Sequence, residues 1–120
     1  MNHMRHLLMG IGAALSLGIC TVAVAHHGWS SYQTEVQKLT GVIEESSYVS
    51  PHGSIRLKAG DTRTWLVILA PPSRMTNRGL TPEMLKVGTT VSVEGYQHKE
   101  DAGEMRAERI TVDSKTVELR

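Results

Sequence analysis

Leu69-Ala70-Pro71-Pro72-Ser73-Arg74-Met75-Thr76-Asn77-Arg78-Gly79-Leu80-Thr81-Pro82-Glu83-Met84-Leu85-Lys86-Val87-Gly88 interrupts a chain that otherwise reads as strands. The paired prolines at 71 and 72 end any strand before them, because proline cannot donate to a ladder. From Ser73 to Lys86 the residues fit one or two short helices. Ser73 is placed to cap the first; Thr81 suits the N-cap of the second, with Pro82 at its first helical position. Gly88 closes the segment. A single helical insert among strands is what fixes the architecture.

Upstream, Leu39 to Val49 reads as one long strand, with Gly41 as a bend or bulge within it. Ser50-Pro51-His52-Gly53 is turn composition. Ile55-Arg56-Leu57-Lys58 alternates apolar and charged residues, the period of a half-buried strand. After Gly60-Asp61 comes the apolar run Trp65-Leu66-Val67-Ile68-Leu69. It suits a strand buried on both faces, or one that passes from core to cover. Downstream, Thr90 to Tyr96 alternates again, Gln97 to Gly103 is a polar loop, and Met105 to Val112 is a further strand. A turn at Asp113-Ser114-Lys115 leads to a short last strand, Thr116 to Leu119.

Three strands, a short helix and two more strands is the order of the OB-fold. The expected class is therefore all-β with one short helical insert, a small OB-like Greek-key barrel over residues 39–120. A simple antiparallel sandwich would show similar alternation. Closure into a barrel explains better how a small chain stays stable without disulfides, because closure removes exposed sheet edges.

The chain's beginning sets its expected compartment. Arg5 precedes an apolar run from Leu7 to Ala25 with no charged residue, and Ala23-Val24-Ala25 is the small-residue pattern of a signal-peptidase site. Residues 1–25 are read as a signal peptide and residues 26–38 as an N-terminal arm, giving a periplasmic protein of one domain. A membrane-spanning helix suits the run less well, since Gly10, Gly12, Ser16 and Gly18 interrupt it. Cleavage would remove the only cysteine, Cys20, and with it any disulfide or thiolate metal site. It would also leave 12 Lys and Arg against 12 Asp and Glu. So balanced a chain lacks the basic footprint of nucleic-acid binding and carries no signal for membranes.

Four histidines remain beyond residue 25: His26, His27, His52 and His98. Cleavage after Ala25 would put a free amine beside two imidazoles, nitrogen donors of the kind that Cu(II), Ni(II) and Zn(II) favour. In an OB order, His52 lies in the loop between the first two strands and His98 begins the loop between the fourth and fifth. Those two loops share one end of the barrel. A copper or zinc site is expected from these four if they converge. Otherwise they are solvated surface residues. Arg74 and Arg78, four apart on a short helix with Ser73 and Asn77 near, would form a fork for a carboxylate or phosphate, or would pair with Glu83 or Glu108. Met75, Met84 and Met105 are soft enough for Cu(I) but suit the core better. Trp29, Tyr48, Trp65 and Tyr96 would make a stacking platform, although Trp65, inside the apolar run, belongs in the core.

No nucleophile elbow, HExxH or phosphate-loop pattern occurs, and adjacent Glu44 and Glu45 on a strand point to opposite faces. An enzyme is not expected. The segments Ala25-His26-His27-Gly28-Trp29, Tyr48-Val49-Ser50-Pro51-His52, Leu69 to Met75 and Arg78-Gly79-Leu80 resemble an uncharacterised family of exported bacterial proteins. So do Val91 to Tyr96 and Arg106 to Ile110. The helix-Gly-strand-Gly passage is distantly similar to bacterial periplasmic OB-fold proteins. The resemblance implies compartment and size and gives no activity. The expectation is an exported binding module that engages a small ligand, a metal ion or a periplasmic protein at its rim loops.

Overall fold

The computed structural model describes residues 29–60 and 63–120. A 3-10 turn, Trp29–Ser31, leads into β1 (Tyr32–Ser47), β2 (Ser54–Ala59) and β3 (Thr64–Ile68). Then come α1 (Pro72–Asn77), a second 3-10 turn (Pro82–Leu85), β4 (Thr90–His98), β5 (Glu104–Val112) and β6 (Lys115–Glu118). The signal-peptide reading of residues 1–25, and His26 and His27, lie outside the described residues. Among those described, no helix is long and apolar enough to cross a membrane.

The sheet runs β3-β2-β1-β4-β5-β6, and β3 also pairs with β5, which closes five of the six strands into a ring. That closing contact is the only parallel one among the described strand pairs. The register can be followed around the ring from Val36 to Tyr96, Arg106, Ile68, Ser54 and Ser47. The path returns to β1 eleven residues beyond its start. Such a stagger is what tilted strands need in order to close. The expected class therefore stands: a mostly antiparallel, OB-like barrel ring with one helix.

Two glycines mark where backbones crowd. Gly41 pairs with Ala59 on one side and Val91 on the other, where β1 passes from β4 to β2. A side chain there would meet the Lys58 carbonyl. Gly95 sits at the bulge between β4 and β5, where a side chain would strike the backbone of Arg106 and Ala107. The β1 bulges lie elsewhere, between Ile43 and Glu45 and between Tyr32 and Val36. Gly41 therefore allows close approach and is not itself the bulge.

Among the described residues, nineteen buried apolar side chains make one core, from Ile43 and Leu57 through Val93 and Ile110 to Leu119. The insert contributes Met75, Leu80 and Leu85, all fully buried. Met105 is buried as well, and Met84 packs against the same cluster, so all three methionines serve the core. The run in β3 resolves into alternation: Trp65 and Val67 face inward, while Leu66 and Ile68 are half-buried on the other side.

Two local expectations change. β1 begins at Tyr32, seven residues before Leu39, so residues 32–38 are strand and the expected arm is shorter. Gln33 to Val36 are all exposed and include a register shift, which removes the alternation that marks a strand. In α1, Pro71 occupies the N-cap position and Pro72 the first turn, with no side-chain cap, so Ser73 lies inside the helix. Thr81 does precede the second turn with Pro82 behind it, though its hydroxyl makes no capping bond.

Candidate functional site

The ends of four strands and the helical insert surround one open cleft of about 620 Å3. Ser31 and Tyr32 enter from the start of β1, and Pro51 and His52 from the loop between β1 and β2. His98 comes from the end of β4, and Glu104 and Arg106 from the start of β5. Arg74 projects from α1 and Arg120 from the chain beyond β6, over a floor that includes Ile68, Leu69 and Pro71. The barrel order brings these distant positions to one rim. His52 and His98, separated by 46 residues of sequence, share the cleft.

The cleft is braced by backbone. Gly53 donates to Ala70 O (2.9 Å) and receives at its own carbonyl the Leu69 amide (2.9 Å), which fastens the first loop to the end of β3. Tyr48 donates to Leu80 O at 2.5 Å and meets Thr76 Oγ1 at 2.9 Å, tying the end of β1 to the insert. Glu100 and Asp101 amides both donate to His98 Nδ1 at 3.1 Å. The neutral His98 ring therefore carries its proton on Nε2, the nitrogen 3.6 Å from Glu104 Oε2. The Tyr32 hydroxyl donates to the same carboxylate oxygen at 3.4 Å and packs edge-on to His98, with ring centroids 5.1 Å apart. Glu104 Oε1 has no protein hydrogen-bond partner among the described residues.

Charge is distributed unevenly. Among the described residues, three arginines line the cleft against one acidic side chain, Glu104. Burial, with Arg106 and Arg74 beside it, pushes the Arg120 guanidinium down to about 10. The protein thus holds a cation here at the expense of its solvation. Arg120 Nη2 donates to Leu69 O (2.6 Å) and Arg74 Nη1 to Leu119 O (3.1 Å). That one bond leaves most of the Arg74 donors to the cleft, since a guanidinium carries five N–H groups. Burial and the nearby Glu104 charge raise the Tyr32 phenol above its ordinary range, so it remains a neutral donor.

The predicted residues divide. His52, His98 and Arg74 share the cleft; Arg78 does not line it. Arg78 Nη1 instead donates to Glu118 O (2.8 Å) and Arg120 O (3.0 Å), and Lys115 Nζ reaches back to Gly79 O (2.9 Å). These bonds fasten the insert to the last strand. Arg74 and Arg78 are therefore not one fork, and neither pairs with Glu83 or Glu108. Arg106, Arg120, Glu104 and Tyr32 are not among the site residues expected from the sequence. The available signal was alternation in β5, which puts residues 104 and 106 on one face next to the loop already chosen.

Residues 14–106 match the model of a family of unknown function (DUF6152). The chain belongs to that family. No curated protein matches it. Among solved structures it is similar to a chain in the crystal structure of a complex of TiaS with transfer RNA and ATP. The identity there is 19%, the TM-score 0.49, and the match covers 72% of this chain and 19% of that one.

Proposed function

We propose that this is an exported, non-enzymatic binding module that takes a small organic anion in the rim cleft. The convergence of Arg74, Arg106 and Arg120 on a space with an apolar floor carries this reading. An anion about 5 Å from one guanidinium gains on the order of 3 kcal/mol at an effective dielectric of about 20, and three guanidiniums share that task. A volume of about 620 Å3 lies in the range of pockets that enclose drug-sized organic molecules. Arginine also offers the planar fork that carboxylates and phosphates accept. Calorimetric titration with a carboxylate of aromatic body, against the wild type and Arg74→Gln, tests the reading. Binding that weakens at least tenfold in the variant, and weakens with added salt, supports it. Equal binding by both proteins refutes it.

A second reading is a copper or zinc carrier, favoured by the meeting of His52 and His98 at one rim. Among the described residues no group of three or more His, Cys, Asp or Glu side chains can hold a metal ion, so His26 or His27 would have to complete the site. The same arginines oppose a dication. Cu(II) titration of a protein beginning at His26, beside a copy with one extra N-terminal residue, decides it. Tight one-to-one binding that disappears in the longer copy and below about pH 6 establishes the metal site. Weak, equal binding removes it.

A further inference from the structure

The cleft is bipolar. Glu104 and Arg106 stand two residues apart on β5, on the same face and both at the cleft. Their backbones are therefore about 7 Å apart. The Glu104 carboxylate, with a side chain only 20% exposed, receives Tyr32 and His98 on a single oxygen, at 3.4 and 3.6 Å. Both distances are long for hydrogen bonds. A half-buried carboxylate with two stretched contacts and its other oxygen turned to the open cleft has room for a further donor, and a positively charged one makes the stronger bond. Arg74, whose one bond to Leu119 O leaves its other donors open, stands ready for the opposite charge across the same space.

We propose that the cleft binds a zwitterion of amino-acid type. Its carboxylate would rest on the arginines, its ammonium on Glu104 Oε1, and its side chain on Ile68, Leu69 and Pro71. The proposal rests on the anion-binding reading above and adds to it the demand for a cation at the other end. Glu104 is then the residue that decides specificity. It separates a zwitterion from a plain acid of the same shape, because only the zwitterion brings an ammonium to the half-buried carboxylate.

Phenylalanine, 3-phenylpropionate and phenethylamine share one skeleton and differ only in charged groups. Their calorimetric titration into the purified protein, into Glu104→Gln and into Arg74→Gln, with thermal melts to verify folding, gives the test. The expected result is that phenylalanine binds at least tenfold more tightly than 3-phenylpropionate. That preference should disappear in Glu104→Gln while affinity for 3-phenylpropionate is kept, and Arg74→Gln should weaken both. Equal binding of phenylalanine and 3-phenylpropionate by the wild type overturns the zwitterion and leaves anion binding standing. Binding of none of the three, or of phenethylamine as tightly as phenylalanine, overturns both.

Discussion

Tyr32 shows how one side chain reports on the cleft. Its phenol is raised by burial first and by the Glu104 carboxylate second, with Arg106 pulling the other way. A phenol whose pKa is higher in the folded state adds stability that is complete below its ordinary value of about 10. That stability is lost as pH climbs through the folded value. Arg120 has the opposite sign there, because its cation is disfavoured by folding and its penalty fades above about 10. In an alkaline absorbance titration, Tyr32 is expected to ionise above the ordinary tyrosine value of about 10. Tyr32→Phe should delete that late phase. Gly95 makes a steric statement at the same scale. Gly95→Ala should cost about 1–3 kcal/mol in denaturant unfolding, the usual penalty for forcing atoms into a packed position, since the obstacle is the Arg106 and Ala107 backbone.

The insert is held to the barrel by few bonds, so its elements can be loosened one at a time. Tyr48→Phe removes the hydroxyl that joins Leu80 O and Thr76 while keeping the ring. A loss of about 1 kcal/mol is expected, which is roughly 4–8 °C in melting temperature for a domain of this size. The turn between β5 and β6 offers a gain. Asp113 and Ser114 both have positive φ, 47° and 68°, the mirror-type hairpin turn in which glycine is preferred at the second place. Ser114→Gly should raise stability by about 1 kcal/mol, read in the same melt. These elements also show what sequence could reveal. The strand order and the insert were legible because prolines and period-2 alternation mark them. The first third of β1 was not, since Gln33 to Val36 face solvent and carry no apolar rhythm. Half of the cleft was legible for a similar reason: His52 sits in a loop and His98 at a strand end that the strand order sends to one rim. Arg120 was hidden because only ring closure, through the β3–β5 contact, shows which side chains the last strand delivers there. Arg78 misled because spacing of four on a helix says which residues are neighbours and nothing about which way the partner strand lies.

At the scale of the molecule, the cleft is where the fold concentrates unlike demands: three cations, one half-satisfied carboxylate and an apolar floor. On the proposed reading, a bound anion would relieve the repulsion among Arg74, Arg106 and Arg120, so it should stabilise the native state by mass action. Thermal melts with 3-phenylpropionate at a hundred times its Kd should gain about 2.7 kcal/mol of apparent stability. The same addition should stabilise Arg74→Gln by no more than about 1.4 kcal/mol, the value for a tenfold weaker site, and an equal ionic strength of potassium chloride should not reproduce the gain.

Ser31 and Arg120, near the two ends of the described chain, line the same cleft. A molecule lodged between them works as a clasp. Tension applied through the two ends of the fold would load the bound molecule together with the bond from the Lys99 amide to Ser31 O and that from Arg120 to Leu69 O. An occupied cleft would then have to release its guest, or tear β1 from β4, before the barrel could be pulled open.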